Sequence, residues 1–399
     1  MKISALGCCL IDYLYADYDY QHPAFQKHLS TNSGDGGIIR GGLVFAEDLE
    51  AFAGKPFNEL LEELVEESAA KTNIGGPAII SIIHVAQILY KEGIIPTFFG
   101  ITGKDKEKIL IQDYLKKIII DTSFKVSESQ RTPTTYVFND RNALKGKGER
   151  SFINVIGAAG ELYEKDIPDQ LFDCDLFVLG GTALVPSLHE EIEILLGRAK
   201  KAGAITVVGT IFDFKNEKKN PRKRWPYGER NAYALTDLLV CDALEALRMS
   251  GSSNLESAVS WFMEVGVPAF IITHGAKDII AWASSESIFG SHDLTYYPVC
   301  AYVDNILKDN PSLFKDTTGC GDNFLGGAII SIAQQRSASA GAKLELKDVV
   351  VWGGASGGLA LLFHGGMFHE AHQGEKEELL IPIVNAYTNQ LNSLKTKET

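Results

Sequence analysis

The segment from Asp316 to Ala328 combines two aspartates with four glycines where an apolar helical pattern begins. The first turn of a helix has free backbone N–H groups and the positive end of the helix dipole, and both favour a bound phosphate. Gly319 and Gly321 would allow the backbone to approach such an anion closely. A phosphate repels a neighbouring carboxylate, so we expect Asp322 to have a chemical role, which is to take the proton from an attacking hydroxyl. This signature segment therefore predicts phosphoryl transfer.

Gly326 and Gly327 follow in the same helical pattern, and each costs a helix about 1 kcal/mol relative to alanine. We expect close packing against a ligand or a neighbouring strand to offset that cost. The alternative is a glycine-rich helix cap with an ordinary capping aspartate, which explains one glycine and one aspartate but not the whole segment. Other nucleotide-binding signatures are missing: the sequence has neither GxxxxGK followed by Ser or Thr nor a GxGxxG after a strand.

The chain has 399 residues, 38 of them glycine, and a formal net charge of −13. An acidic surface repels nucleic acid and anionic membranes, so we expect neither as a partner. Six cysteines show no CxxC pair and no regular spacing, which is typical of reduced thiols in a cytoplasmic protein. No apolar run approaches the roughly 18 residues of a membrane span, and the N-terminus lacks the pattern of a signal peptide, so we expect a soluble, unexported protein.

Short apolar runs of strand length alternate with helical patterns along most of the chain. The runs are mostly apolar throughout, which is typical of parallel strands that are buried on both faces. The sequence therefore predicts an α/β fold with a central, mostly parallel sheet and helices on both faces. The predicted strands are Ile3–Cys8, Ile94–Phe99, Leu176–Leu179, Ile205–Phe212, Leu238–Cys241, Ala269–Thr273 and Ile279–Ala283. The predicted helices are Ile79–Tyr90, Lys106–Lys117, Leu188–Ala202, Leu255–Val265 and Phe324–Gln335.

Two segments interrupt this alternation, at about 13–73 and 132–156. The first contains an amphipathic helix from about Asn58 to Ala70, and the second has the pattern of a β-hairpin. We expect them to meet in a small β lid over the strand ends, where α/β proteins bind ligands. A third insertion, 213–230, has seven Lys or Arg among eighteen residues and predicts a solvated loop. No linker divides the chain, so we expect one domain over 1–399.

The signature segment closely resembles the DTxGAGD motif of the PfkB/ribokinase-like carbohydrate kinases, with Cys320 in place of the usual alanine. Weaker motifs of that family follow in its order across nearly the whole chain. They are Asp12 at the end of an early strand, Gly75-Gly76 before a helix, Gly100–Asp105, Gly148–Ser151 in the hairpin, Asp213 with Arg224-Trp225, Asp242–Glu245 after a strand, and Thr273–Lys277. The resemblance implies a ribokinase-like fold and an ATP-dependent kinase that phosphorylates a hydroxyl of a sugar or related alcohol.

The resemblance also implies roles within the signature segment. Asp322 matches the catalytic base of the family. The N–H groups of Gly319, Cys320, Gly321 and Asp322 would form the anion hole that holds the transferring phosphoryl group.

Cofactor and metal positions of the family carry suitable residue types here. Glu245 matches the glutamate that organises Mg²⁺ through water, as Mg²⁺ prefers. Asp242 replaces an asparagine of the family and adds charge near the phosphates. The nucleotide-binding positions are Asp242, Thr273 and Gly275, and those of a monovalent cation such as K⁺ are Asp316 and Thr318.

The acceptor end departs from the family pattern. The resemblance places Asp12, Gly75 and Gly76 at the sugar. The alternative for Asp12 is an Asx turn that ends a strand, and we favour the functional role because ligands bind at strand ends in α/β proteins. Arg150 could reach the substrate or a phosphate from the hairpin, or could be a surface charge. Ile80 stands where the family has an asparagine that contacts the sugar, so the identity of the sugar stays open.

Other functions also stay open. The long 13–73 segment and the missing asparagine suit a nucleoside kinase of the adenosine-kinase type, and a non-catalytic sugar or nucleotide sensor could keep the same fold. His369 and His372 resemble half of a metal site but lack HExxH spacing, so we expect a solvated helix or turn there. Apolar faces on the lid strands suggest a homodimer formed through the lid.

Overall fold

The computed structural model describes residues 1–32, 34–65, 70–143, 148–228, 230–339 and 341–395. The strands are β1 Ile3–Gly7, β2 Leu10–Tyr15, β3 Leu43–Phe45, β4 Lys71–Gly75, β5 Thr97–Thr102, β6 Asp121–Val126, β7 Thr134–Asp140, β8 Glu149–Val155, β9 Leu176–Gly180, β10 Ile205–Gly209, β11 Leu238–Asp242, β12 Ala269–Thr273, β13 Ile279–Ala283 and β14 His292–Tyr297. The α-helices are α1 Pro23–Lys27, α2 Ala46–Ala53, α3 Phe57–Val65, α4 Pro77–Ile88, α5 Lys106–Leu115, α6 Pro186–Glu190, α7 Ile192–Lys201, α8 Phe214–Lys219, α9 Arg230–Ala234, α10 Ala243–Ser250, α11 Leu255–Val265, α12 Ala301–Asp309, α13 Cys320–Ala338, α14 Leu346–Ala360 and α15 Glu375–Lys395. Short 3-10 helices are Leu89–Glu92, Gly157–Glu161, Glu164–Asp166, Asp169–Phe172, Thr182–Leu184 and Pro311–Leu313.

The large sheet has the strand order β14-β13-β12-β11-β10-β9-β1-β5-β6. The seven strands from β12 to β6 in that order run parallel to one another. Strand β13 is antiparallel to both of its neighbours, β12 and β14. Helices α4, α13, α14 and α15 pack on one face and α7, α10 and α11 on the other. Strands β1 and β9 are buried at every residue, because helices cover both of their faces. The prediction of a mostly parallel sheet between two helical layers is confirmed.

A second sheet, which we call the small sheet, has the order β3-β8-β7-β2-β4. It combines strands from both interrupting segments, and β2 and β7 join them as parallel partners. In the first segment its strands begin at Leu10 and end at Gly75, a few residues outside the expected bounds. The predicted helix Asn58–Ala70 corresponds to α3, and its residues 66–69 lie outside the described part of the chain.

Helices α1–α3 cover one face of the small sheet. Phe25, Leu49 and Leu60 of these helices are fully buried in one cluster with Tyr136 and Phe138 of β7. The apolar face that suggested a dimer is therefore buried within the chain itself. Dimerisation through the lid stays a prediction, and this face no longer supports it.

Most predicted elements overlap the observed ones, with differences at the ends. Strand β5 begins three residues later than predicted, and β10 ends at Gly209 rather than Phe212. The single helix predicted over 188–202 is wrong, because the chain leaves the helix at Glu191 and forms α6 and α7. Strands β6 and β14 have no predicted counterpart. They form the two edges of the large sheet, where exposed polar residues interrupt any apolar run.

The basic insertion packs more closely than the predicted solvated loop. Asp213 caps α8 by accepting the Asn216 N–H at 3.0 Å. Trp225 and Tyr227 are buried in the core beneath the large sheet, whereas basic side chains such as that of Lys219 are exposed. The aromatic residues therefore anchor the insertion in the core, and its exposed basic side chains contact solvent.

Two general features concern the cysteines and the longest helices. All six cysteines are free thiols, and all but Cys320 are buried. In the described ranges, no helix combines the length and the apolar character needed to cross a bilayer.

Candidate active site

The N-terminus of α13 lies at the centre of the candidate site. Gly319 caps the helix with a φ of +75°, a left-handed conformation that favours glycine. A Cβ on Gly319 would lie 2.4 Å from Cα of Gly366, so two stretches of backbone meet there. Glycine is therefore required at this position for both conformation and space.

The first N–H groups of α13 are only partly used. The N–H of Cys320 donates to the Thr317 carbonyl at 3.3 Å. The N–H groups of Gly321 and Asp322 donate to no residue in the described part of the chain. Together with the helix dipole, these two groups offer a place for an anion.

Asp322 is the third residue of α13, and its carboxylate accepts no hydrogen bond from the described residues. Burial raises the pKa of this carboxyl group from 3.8 to about 7, because a poorly solvated carboxylate favours its neutral form. The Ser81 hydroxyl of α4 lies 2.8 Å from the main-chain carbonyl oxygen of Asp322 and ties this turn to α4. Asp322 thus has the free oxygen atoms and the near-neutral pKa that a general base needs.

Gly326 and Gly327 pack against helices, which corrects the expectation of a ligand or a strand. A Cβ on Gly326 would lie 2.8 Å from the Ser81 carbonyl oxygen. One on Gly327 would lie 2.4 Å from the Trp352 carbonyl oxygen. The glycine pair therefore lets α4 and α14 approach α13 closely, and this contact fixes the position of the helix whose first turn forms the site.

Glu245 lies near the start of α10, directly after β11. Its Oε2 accepts the Thr210 hydroxyl at 2.6 Å and the Asp242 N–H at 3.0 Å, while Asp242 Oδ1 accepts the Glu245 N–H at 2.8 Å. This reciprocal capping box gives Asp242 a local role, because aspartate and asparagine cap helices about equally well. Burial, with the charge of Asp242, raises the pKa of Glu245. Its Oε1 accepts nothing among the described residues, so the carboxylate can still bind a hydrated cation.

The three residues expected at the nucleotide share one cavity. Asp242 and Thr273 are direct partners across β11 and β12. Together with Gly275 they line a cavity of about 360 Å³. This cavity lies at the carboxyl ends of parallel strands, where ligands bind in open α/β sheets.

Asp12 lies in the middle of β2, so the expectation that it ends a strand is wrong. It is paired with Asn73 of β4 and Thr135 of β7 and is 7% exposed. Burial, reinforced by the charges of Asp322 and Asp316, raises the pKa of Asp12 to about 8. The fold thus brings Asp12 close to two carboxylates of the signature segment, from which it is far apart in the sequence.

Gly75 and Gly76 connect β4 to α4. A Cβ on Gly75 would lie 2.4 Å from Oδ2 of Asp12, and one on Gly76 would lie 2.3 Å from the Cys8 carbonyl oxygen. Gly76 also has a φ of +111°. Gly75 therefore leaves room for the Asp12 carboxylate, and Gly76 allows the tight turn into α4.

A row of polar residues crosses the small sheet, and the sequence-based predictions found only Asp12 among its members. The strand register aligns Asn73, Asp12, Thr135 and Asn154 as neighbours on β4, β2, β7 and β8. Directly paired residues face the same side of a sheet, so the row lies on the side of the Asp12 carboxylate. The Asn154 amide donates to the Thr135 hydroxyl at 2.9 Å. The available sequence signal is Asn154 itself, a buried polar residue in an otherwise apolar stretch of the hairpin.

Arg150 reaches from β8 to the signature segment. Its guanidinium donates to Asp316 Oδ1 at 3.1 Å and to the hydroxyls of Thr317 and Thr318. The Oδ2 of Asp316 accepts the Gly365 N–H at 3.1 Å. Asp316 Oδ1 and the Thr318 hydroxyl therefore contact a side chain that itself carries a positive charge. A monovalent cation at Asp316 and Thr318 stays a prediction, and it would have to compete with Arg150 for these atoms.

The loop from His364 to His369 was not predicted as part of the site, yet it supports the start of α13. The Asn73 amide donates to the carbonyls of His364 at 3.2 Å and Met367 at 3.3 Å. A Cβ on Gly366 would lie 3.0 Å from the side chain of Ile80. Ile80, which replaces an asparagine of the family, is thus a packing residue beneath this loop.

His369 and His372 make hydrogen bonds within and beside this loop. His369 Nε2 lies 3.1 Å from Asn73 Oδ1, and His372 Nε2 lies 3.3 Å from Glu378 Oε2. Among the described residues, no group of three or more His, Cys, Asp or Glu side chains is arranged to hold a metal ion directly.

Comparisons with known structures agree with this architecture. Adenosine kinase from Schistosoma mansoni in complex with 2-fluoroadenosine has a TM-score of 0.68 and 13% identity, over 92% of this chain and 96% of that chain. An E. coli structure with ATP and Mg²⁺, described as a ribokinase II, has a TM-score of 0.61 and 18% identity, over 95% of this chain and 98% of that chain. The expected ribokinase-like fold is confirmed.

Comparisons of sequence identify the family. A fructokinase from Vibrio alginolyticus is 23% identical over 309 residues, which cover 76% of this chain and 89% of that protein. The model of the pfkB family carbohydrate kinases matches residues 48–369, which is most of the chain. The chain therefore belongs to the pfkB family of carbohydrate kinases, phosphotransferases that have an alcohol group as acceptor.

Proposed function

We propose that this chain transfers the terminal phosphoryl group of ATP to a hydroxyl of a sugar or sugar-like acceptor, with Asp322 as the general base. The observation that carries the proposal is the Asp322 carboxylate, which accepts no bond from the described residues and lies in the first turn of α13. Two unused N–H groups lie in the same turn. A base and an anion site this close to each other suit attack by a hydroxyl on a phosphoryl group.

The proton of the acceptor hydroxyl passes to a carboxylate oxygen of Asp322 as the new O–P bond forms and the bond from the terminal phosphorus to the bridging oxygen of ADP breaks. The raised pKa of about 7 supports this role, because a carboxylate with a pKa of 3.8 holds a proton much more weakly. After the transfer, ADP leaves and the proton passes from Asp322 to solvent.

The negative charge on the transferring group would be held by the N–H groups of Gly321 and Asp322. Gly319 supplies the left-handed turn that aims these groups. The N–H of Cys320 would join them only when its 3.3 Å bond to Thr317 opens. Such preorganised donors stabilise charge as it develops in the transition state.

The nucleotide would bind in the cavity lined by Asp242, Thr273 and Gly275. The E. coli structure with bound ATP and Mg²⁺ supports the use of both by this chain. Glu245 would hold Mg²⁺ through water, since its Oε1 is not engaged by the described residues. The ion would neutralise charge on the phosphates.

The acceptor would lie between the small sheet and the start of α13. The row of Asp12, Thr135 and Asn154 offers a carboxylate, a hydroxyl and an amide, which together can donate to and accept from sugar hydroxyls. The small sheet would act as the lid of a single kinase domain, with Arg150 linking it to the signature segment.

A nucleoside is the second candidate for the acceptor. The V. alginolyticus relative is named for a sugar, and the S. mansoni structure contains a nucleoside analogue. We favour a sugar, because the family model describes carbohydrate kinases. A non-catalytic sensor would have no need of a free base beside free N–H groups, so Asp322 argues against that alternative.

Three further parts of the proposal concern the surroundings of the protein. A net charge of −13 argues against nucleic acid as a partner. Six free thiols suit a reducing, cytoplasmic location. K⁺ and a homodimer stay predictions, and Arg150 competes with K⁺ for the same oxygen atoms.

The deciding experiment measures ADP release by the full chain with Mg·ATP and a panel of ketoses, aldoses and nucleosides. We expect sugar-dependent ADP release that the Asp322→Asn variant lacks. If the protein turned over only nucleosides, the acceptor would be a nucleoside rather than a sugar. Nucleotide binding without turnover of any acceptor would overturn the kinase assignment in favour of a sensor.

A further inference from the structure

Lys376, the second residue of α15, has its side chain in the protein interior. The residue is 1% exposed. Its ammonium group donates to Asn323 Oδ1 at 3.0 Å and to Gln87 Oε1 at 3.1 Å, and it lies 5.6 Å from the ring centre of Phe363. Neither hydrogen-bond partner is a carboxylate. Burial lowers the pKa of Lys376 to about 7, and the charge of Glu370 opposes this shift only in part. An ammonium in such surroundings costs stability, so its presence calls for another explanation.

Asn323 connects this ammonium to the start of α13. Its Oδ1 faces Lys376, and its Nδ2 donates to the carbonyl oxygens of Gly319 at 2.8 Å and Gly366 at 2.9 Å. These two carbonyls belong to the residues whose backbones meet beside the helix N-terminus. Asn323 also directly follows the proposed base, Asp322.

Gln87 repeats the arrangement on the other side of the ammonium. Its Oε1 accepts from Lys376, and its Nε2 donates to the Phe368 carbonyl at 2.8 Å. Phe368 belongs to the same His364–His369 loop as Gly366. The oxygen atoms of both amides therefore accept from the ammonium. The nitrogen atom of Asn323 donates to the helix start and the loop, and that of Gln87 donates to the loop.

The chemistry of the ammonium group fixes which way each amide points. The charged amine has donors and no acceptor, and the neutral amine keeps two N–H groups, so either form can donate to the oxygen ends of both amides. The NH₂ end must then point to the opposite side, where backbone carbonyls accept its bonds. With an apolar residue at position 376, the oxygen end of each amide would lose this donor, and the backbone carbonyls alone would set the orientation of the amide.

We propose that Lys376 is a positioning residue for phosphoryl transfer, which orients the Asn323 and Gln87 amides and thereby holds Gly319 and the His364–His369 loop in place. The inference rests on the proposed function, in which the first turn of α13 holds the transferring group. Lys376 itself does not touch the reacting atoms. Its effect on the rate comes through the backbone at Gly319, which sets the direction of the next N–H groups.

This role differs from a purely structural one in its consequence for stability. Lys376→Met removes the cost of burying a charge, but it leaves the oxygen atoms of Asn323 and Gln87 without this donor, so the two effects on stability oppose each other. The variant should therefore change the melting temperature little and still slow the reaction. A structural lysine would show the reverse, with lower stability and an unchanged rate for the folded fraction.

The experiment compares full-length wild type, Lys376→Met and Lys376→Gln with the acceptor that the wild type uses best. For Lys376→Met we expect kcat to fall about 10- to 100-fold, as for a misplaced reacting group, with the KM for ATP within about twofold. Lys376→Gln keeps a donor towards both amides and should lie closer to wild type. The control is Lys91→Met, which should leave kcat unchanged. Lys91 pairs on the surface at 2.7 Å with Glu377, the residue that follows Lys376. Wild-type kcat in Lys376→Met would overturn the proposal.

Hydrogen exchange separates this inference from the proposed function. In the ligand-free protein, Lys376→Met should speed amide exchange in peptides that cover 317–323 and 364–369, and Lys91→Met should not. Unchanged exchange in both peptides would overturn the positioning role even if kcat fell. If the wild type phosphorylated no acceptor, the proposed function would fail, and faster exchange would still support the link from Lys376 to the loop.

Discussion

Gly75 and Asp12 lie on neighbouring strands of the small sheet, and a Cβ on Gly75 would lie 2.4 Å from Oδ2 of Asp12. The Asp12 carboxylate thus occupies the space that a side chain at position 75 would need. Asp12 is also one of three carboxylates that the fold gathers, since the charges of Asp322 and Asp316 contribute to its raised pKa. Asp12 therefore connects the space left by Gly75, where we propose that the acceptor binds, to the two carboxylates of the signature segment.

Gly75→Ala should therefore weaken binding of the acceptor. The new methyl group would displace the Asp12 carboxyl group, and we expect the KM for the acceptor to rise about tenfold, which corresponds to the loss of one hydrogen bond. The KM for ATP should stay the same. Steady-state kinetics with each substrate varied in turn checks this.

The matched control is Gly197→Ala in α7, where a Cβ would meet no atom within 4 Å. This variant should keep both KM values and gain stability of about 1 kcal/mol, since alanine favours a helix over glycine. An unchanged acceptor KM in Gly75→Ala would contradict the role of Asp12.

Asp322→Asn should abolish turnover and retain nucleotide binding. The amide cannot take the proton of the hydroxyl, so we expect kcat to fall by about 10²- to 10⁴-fold. Asp113→Asn is a suitable control, because Asp113 pairs with Lys116 on the surface. Single-turnover assays and titration with ATP would measure the two effects, and near-normal turnover by Asp322→Asn would rule out Asp322 as the base.

The rate should depend on pH through the same carboxylate. Burial holds the pKa of Asp322 at about 7, so the ionised base becomes scarce below that pH. We expect kcat/KM for the acceptor to fall about tenfold per pH unit on the acid side. A profile that is flat between about pH 5.5 and 9 would contradict this assignment of the base.

The stability of the ligand-free protein should fall as the pH rises, whereas the rate should increase. The pKa of Asp12 is raised from 3.8 to about 8, so the folded state binds more protons than the unfolded state between these values. The stabilisation is complete below the unfolded pKa and is lost as the pH rises through the folded one. We expect the melting temperature to fall by several degrees between about pH 6 and 9, on the scale set by a few kcal/mol.

Asp12→Asn should reduce this fall, because the amide does not titrate. The control is Asp169→Asn, whose side chain is 95% exposed and should leave the pH dependence unchanged. If Asp12→Asn kept the wild-type slope of melting temperature against pH, burial of Asp12 would not be its cause.

Arg150 should make the wild type insensitive to K⁺. Its guanidinium engages Asp316 and Thr318, the residues that would otherwise hold a monovalent cation. We expect less than about twofold activation when K⁺ replaces choline at constant ionic strength, and a slower Arg150→Gln variant that K⁺ restores in part. Arg141→Gln is the control, since Arg141 pairs with Asp17 instead. Strong activation of the wild type by K⁺ would show that Arg150 leaves these atoms during turnover.

Several features of the site follow directly from short stretches of sequence. Gly319, Gly321 and Asp322 lie in the first turn of a helix, as their spacing predicts, because helix caps and free N–H groups are local properties. The alternation of apolar runs also predicts the parallel sheet. The edge strands β6 and β14 could not be found in this way, since a half-exposed strand has no continuous apolar run.

The sequence by itself determined the α/β fold class, the position of the proposed phosphate-binding turn and the carboxylate beside it, because all three depend on neighbouring residues. Only the tertiary structure decided which distant residues support that turn. Arg150 meets Asp316 across 166 positions, and Lys376 meets Asn323 across 53. Such contacts depend on how whole strands and helices pack, and no spacing along the chain encodes them. For the same reason Asp12 proved to lie within the small sheet, opposite Thr135, rather than at the end of a strand of the large one.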